Sequence, residues 1–147
     1  MAVTCKYSNQ FVLELFKKEH NVESDSLVFC LMAPGFIFDP ATHSTYADIS
    51  ASEISAGNGY TQKDKAVANA SAALDAGVVV VSCDNPVWTA SGGPIADLAS
   101  CCVVNTSHLN ETVMCCIEFG VTFSTADTKE FEIDCSNGIA SATPNPA

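Results

Sequence analysis

Eight cysteines, three histidines and 17 carboxylates are the side chains with chemistry to offer in this 147-residue sequence. The cysteines are Cys5, Cys30, Cys83, Cys101, Cys102, Cys115, Cys116 and Cys135. Two pairs are vicinal rather than spaced as C-x-x-C, and neighbours on a strand point to opposite faces, so neither pair closes easily on one tetrahedral ion. Several sit inside apolar runs such as Val28-Phe-Cys-Leu-Met32. The expected role is that of small buried hydrophobes in a reduced compartment, with a disulfide framework or an inter-strand zinc as the alternatives.

His20, His43 and His108 lie in three separate polar contexts, none with a second titratable group at a diagnostic spacing. A loop imidazole such as His43 commonly satisfies backbone groups; catalysis would require it to meet Asp39 or Asp48 in one cleft. Gly57-Asn-Gly59 and Gly92-Gly93 match neither phosphate-loop pattern and read as turns. Asp39, Asp48, Asp84 and Asp97 do not form a calcium-loop array. Asn69-Ala-Ser71, Asn105-Thr-Ser107 and Asn110-Glu-Thr112 match glycosylation acceptors only formally, because Lys6, Ser8, Asn9 and Gln10 interrupt any secretory leader. No metal or cofactor is expected.

These side chains must be positioned by a mainly β fold. Ser8-Asn9 caps an expected helix with Phe11, Val12, Leu15 and Phe16 on its apolar face, although Phe11, Leu13 and Leu15 also alternate as in a strand. Ser26 to Met32 reads as a buried strand stopped by Pro34-Gly35, and 36–48 as a loop ordered by aromatics. Ser50-Ala-Ser-Glu53 has capping-box spacing, which predicts a short helix ending at Ala56-Gly-Asn-Gly59. Strands are then expected over 66–74, 77–83, 95–105, 112–123 and 130–135, between turn-forming separators. This regular spacing indicates an antiparallel sandwich or barrel with one or two short helices. Residues 1–139 form the expected single domain, with 140–147 a C-terminal tail.

Composition narrows the function. Six lysines, no arginine and a net charge of -11 argue against nucleic acid. With 48% hydrophobic and 16% charged residues the chain can build a core. No apolar run approaches the ~20 residues that span a bilayer, so no membrane partner is expected. Trp88, the single tryptophan, and Tyr60 each read as a core plug or as a subunit anchor.

Two long blocks, His43-Ser-Thr-Tyr-Ala-Asp-Ile-Ser-Ala-Ser-Glu-Ile-Ser-Ala-Gly-Asn-Gly-Tyr-Thr61 and Asp84-Asn-Pro-Val-Trp-Thr-Ala-Ser-Gly-Gly93, resemble a family of small virion structural proteins of tailed bacteriophages and prophages. Lys6-Tyr-Ser-Asn-Gln-Phe11, Leu15-Phe-Lys-Lys18 and Cys116-Ile-Glu-Phe-Gly120 fit the same pattern. Gln62-Lys-Asp-Lys65 departs from it, standing where the family has a glycine-rich turn. The resemblance implies no catalytic residue. Taken together with a small, acidic, β-rich chain lacking catalytic motifs, it fits a capsid decoration or cement protein, made in the host cytoplasm and bound as a homotrimer to the major capsid lattice on the virion's outer surface. Phe36, Phe38, Asp39, His43, Tyr46, Tyr60 and Trp88 are the residues expected at a subunit or capsid interface. The alternatives are a tail or head–tail connector component and, third, a carbohydrate-binding module on the virion surface.

Overall fold

A computed structural model describes residues 4–135 and 138–142. The longest strands form a hairpin, β7 (Ile95–Asn105) with β8 (Val113–Thr125). Three further antiparallel strands complete a five-stranded sheet: β1 (Thr4–Tyr7), β2 (Leu27–Met32) and β3 (Lys65–Ala66), in the order β1-β8-β7-β2-β3. All six β2 residues are buried, because both sheet faces are covered. Alternation sends Leu27, Phe29, Leu31, Cys101, Val103, Cys115 and Ile117 into one cluster. Val28, Cys30, Met32, Cys102, Val104 and Cys116 enter the other.

Two small sheets cover the first face. One orders β4 (Ser71–Asp75), β5 (Val78–Ser82) and β10 (Ala140–Ala142) as β10-β5-β4 and contributes Val81. The other pairs β6 (Val87–Thr89) with β9 (Glu130–Glu132) and contributes Trp88 and Phe131. Segment 36–53 covers the second face with Phe38 and Ile49. The fold is therefore mainly β, antiparallel and sandwich-like, as the strand spacing implies.

Four local expectations need correction. The expected strand over 66–74 is broken into β3 and β4, with Asn69 at φ 54° between them. The helix expected after Ser50 does not form. Thr45-Tyr-Ala-Asp48 offers the same i, i+3 spacing one turn earlier, and Asp48 accepts from the Thr45 backbone N–H at 2.8 Å. Helix α2 (Tyr46–Ile49) results, followed by a single 3-10 turn at Ser50–Ser52, while Glu53 is extended. Gly57 and Tyr60 exchange backbone hydrogen bonds at 2.9 and 3.0 Å, closing a tight turn where a helix end is expected. Gly59 is required in that turn, since a Cβ there would stand 2.1 Å from the Thr89 carbonyl oxygen. Of the expected tail, Ala140–Ala142 pairs with β5, and 143–147 lie outside the described residues.

The N-terminal helix forms as α1 (Asn9–Phe16), with Ser8 Oγ accepting from the Phe11 N–H at 3.0 Å. Its orientation differs from the expected one. Phe11 and Glu14 are buried, whereas Val12, Leu13, Leu15 and Phe16 are exposed, Phe16 to 86%. Among the described residues, no helix is long and apolar enough to cross a membrane.

Candidate functional site

Chain folding brings together two histidines that the sequence keeps 88 positions apart. Glu14 on α1, His20 in the loop to β2, and His108 in the β7–β8 turn place one ligand atom each within 4.8 Å of one another. Glu14 Oε2 accepts from His20 Nε2 at 2.6 Å and from Thr112 Oγ1 at 2.7 Å, and Gln10 Nε2 donates to Oε1 at 2.7 Å. His108 Nε2 lies 3.1 Å from Glu19 Oε2 and 3.9 Å from Glu14 Oε2. The two imidazole rings are 4.8 Å apart, and His20 packs 4.7 Å from Phe11. The His20 side chain has no exposure and that of Glu14 only 3%.

This is the composition of a metal centre, but the bonding is that of a proton network. Two ligands on one tetrahedral ion at ~2.0–2.1 Å stand about 3.4 Å apart, well beyond the 2.6 Å between His20 and Glu14. The distal nitrogen of His20 also faces a donor. Asn105 Oδ1 accepts from the Ser107 N–H at 2.9 Å, which leaves Nδ2 to donate to His20 Nδ1 at 2.9 Å and Asp25 at 2.7 Å. His20 Nδ1 is therefore an acceptor, and the ring proton sits on Nε2, aimed at Glu14. A metal-bound histidine instead needs an acceptor opposite its distal N–H.

Burial pushes the Glu14 pKa up, but hydrogen bonds from Gln10, Thr112 and His20 and the charge of His108 together bring it below its usual value. The cluster is thus a buried carboxylate that ties α1, its following loop and the β7–β8 turn into one unit.

The sequence-predicted interface residues separate into two groups. Phe36, His43 and Tyr46 are half-buried and Asp39 is exposed. The His43 ring lies 5.1 Å from Phe36 and 5.7 Å from Phe38, and its Nδ1 accepts from the Asp39 N–H at 2.9 Å. Asp39 and Asp48 do not form an acid/base pair with His43. Both carboxyl pKa values are lowered chiefly by backbone N–H donors, from Ala41 to Asp39 and from Thr45 to Asp48, so each is spent on closing a turn.

Phe38, Tyr60 and Trp88 are corrected from contact residues to core, each only 2% exposed. Phe38 seals the second face, and Trp88 meets Phe29 edge-on at 6.2 Å. Tyr60 Oη accepts from the Leu31 N–H at 2.9 Å and donates to Glu53 at 2.6 Å. Glu53 also accepts from Tyr46 Oη at 2.6 Å and the Lys63 N–H at 2.9 Å. Burial and the Glu53 carboxylate raise both tyrosine pKa values.

The eight cysteines are free thiols, six of them buried, with Cys5 exposed and Cys83 half-buried. Sequence reading misses the Glu14–His20–His108 cluster and the outward apolar face of α1. A carboxylate three residues after Phe11, on the same helical face, is the one local signal for either. No family model, curated protein or solved structure matches this chain.

Proposed function

We propose that this chain is a bacteriophage virion structural protein, a capsid decoration or cement protein that binds the outside of the assembled major capsid lattice as a homotrimer. The observation that carries the reading is the inverted helix α1. It buries a carboxylate and presents Val12, Leu13, Leu15 and Phe16 to solvent, while Ile37 is 77% exposed on the neighbouring loop. Several uncovered aliphatic and aromatic side chains on one short helix mark a surface made for protein contact.

Chemistry is not what the remaining residues favour. The carboxylates and imidazoles that converge are buried and consumed by internal hydrogen bonds. The task is passive: a protein that binds only the assembled lattice stabilises it by mass action, and multivalent presentation makes weak single contacts strong. A net charge of -11 keeps a densely coated head soluble and repels DNA. Burial of Trp88 and Tyr60 removes the aromatics a carbohydrate groove would use.

Cryo-EM of the intact virion tests the proposal. The expected result is density for this chain at repeated positions on the outer head, bridging capsid subunits. Density confined to the neck or tail would overturn the decoration reading in favour of a connector.

A further inference from the structure

Among the described residues, three pairs of cysteines share a hydrogen bond between their side chains: Cys5 with Cys115, Cys102 with Cys116, and Cys83 with Cys135. Geometry and burial sort them. Cys5 stands opposite Ile117 and Cys115 opposite Tyr7, so the first pair is diagonal across the β1–β8 ladder. Diagonal neighbours lie ~7–8 Å apart at Cα, beyond the ~4.4–6.8 Å that a disulfide spans. Cys102 and Cys116 are directly opposite on β7 and β8, but neither has any exposure, and burial withholds the Cys102 thiolate by raising its pKa.

The third pair differs on both counts. Cys83 follows β5 directly, Cys135 follows β9, and the backbone holds the two segments side by side. The Ile133 N–H donates to the Pro86 carbonyl at 3.2 Å and the Cys135 N–H to Asn85 Oδ1 at 2.8 Å. These bonds carry the β6–β9 pairing past Val87 and Glu132, which brings Cys135 alongside residues 83–84. Beyond Cys135, the Ile139 N–H donates to the Val81 carbonyl at 2.7 Å. Cys135 belongs to the first core cluster at 1% exposure, and Cys83 packs half-buried at its margin. Their mutual hydrogen bond lowers the pKa of Cys83 and raises that of Cys135, so Cys83 is the ready thiolate and Cys135 the donor to it. An accessible thiol of lowered pKa beside a second thiol is the arrangement of a reversibly oxidised pair.

We propose that Cys83 and Cys135 form a reversible redox site, which a low-molecular-weight disulfide oxidises to a cross-link fastening the end of β5 to the segment that leaves β9. The Cys83 thiolate attacks one sulfur of the small disulfide, whose S–S bond breaks and releases one thiolate to take up a proton. Cys135 then loses its proton to solvent and attacks the Cys83 sulfur, displacing the second small thiol. Two protein thiols are oxidised and one small disulfide is reduced to two thiols. The second step is open to Cys135 because the chief cause of its raised pKa, the Cys83 sulfur, is by then covalently bonded. The cross-link ties together the two small sheets that cover the first face of the core, and this inference does not rest on the virion reading.

Incubating the reduced, folded full chain with glutathione disulfide at about pH 8, followed by differential alkylation and tandem mass spectrometry, provides the test. In wild type the expected product is a Cys83–Cys135 disulfide that retains no glutathione and is reopened by dithiothreitol. In Cys135→Ser the glutathionyl group should stay on Cys83, and in Cys83→Ser the oxidation of Cys135 should slow at least tenfold. Closing the loop between the two residues should raise the melting temperature of oxidised wild type by at least about 5 °C, a rise absent from Cys135→Ser treated in the same way. The wild-type map stands whether or not either variant folds. Glutathione retained on Cys83 in wild type, a faster cross-link at Cys5–Cys115 or Cys102–Cys116, or Cys83 and Cys135 both recovered as thiols would each overturn the site. Cross-linked protein that melts no higher than reduced protein would overturn the fastening of the sheets.

Discussion

Replacing Glu14 asks whether a buried carboxylate, rather than an apolar helix face, holds α1 to the body. In Glu14→Ala, His20 Nε2–H and Thr112 Oγ–H lose their acceptor, and both side chains are fully buried. An unsatisfied buried donor costs ~1–3 kcal/mol, so the pair costs about 2–6, and about 4 kcal/mol is expected. Glu14→Gln should behave differently. Its carbonyl oxygen can stand in place of Oε2, and its NH2 then faces Gln10, which is half-buried and turns its own oxygen toward it. Only charge assistance is lost, about 1–2 kcal/mol.

Urea unfolding at pH 7 with linear extrapolation measures both variants. If they fall within about 0.5 kcal/mol of each other, or if Glu14→Ala costs under about 1 kcal/mol, the clamp argument is wrong. The pH dependence supplies an independent arm. The Glu14 pKa is lowered in the fold, so its contribution is complete above the unfolded value of about 4.3 and is lost as pH falls through the folded one. The gap between wild type and Glu14→Gln should therefore be full at pH 7 and close as pH falls through the lowered folded-state value. A gap unchanged at acid pH would contradict the assignment.

Gly59→Ala is expected to cost on the order of 3 kcal/mol in the same assay, because its Cβ would meet the Thr89 carbonyl at 2.1 Å. Gly35→Ala, with positive φ but open space around it, should cost only about 1 kcal/mol. Ser8→Ala removes both the helix cap and a hydroxyl bond to the Val113 carbonyl, and should cost about 1–2 kcal/mol. Thiol labelling of the native protein should show two fast sites and six slow ones, and eight after denaturation. The fast sites are Cys5 and Cys83, whose pKa values are lowered by hydrogen bonds with Cys115 and Cys135, whereas burial raises those of Cys101 and Cys102.

What the sequence by itself determines here is local. Ser8 ahead of an apolar helical pattern gives a cap, alternating Val, Cys and Phe give strands, and Pro34-Gly35 gives a turn; each uses only neighbours along the chain. The unbroken run Leu27 to Met32 also reports a strand buried on both faces, since no residue in it tolerates water. Even so, local rules compete. Thr45-Tyr-Ala-Asp48 and Ser50-Ala-Ser-Glu53 carry equivalent capping signals, and tertiary structure chose the first because Glu53 is needed as the buried acceptor for Tyr46 and Tyr60.

The site belongs wholly to tertiary structure. His20 and His108 meet only because β2 pairs with β7 and the β7–β8 turn folds back over α1. The same packing decides which side of α1 is inside. Its residues are apolar on nearly every face, so periodicity cannot orient the helix. Glu14 can be buried because Gln10, His20 and Thr112 supply donors, and that leaves Leu13 and Phe16 facing outward. A carboxylate's partners, one on its own helix and two beyond it, thereby set the surface this protein shows to others.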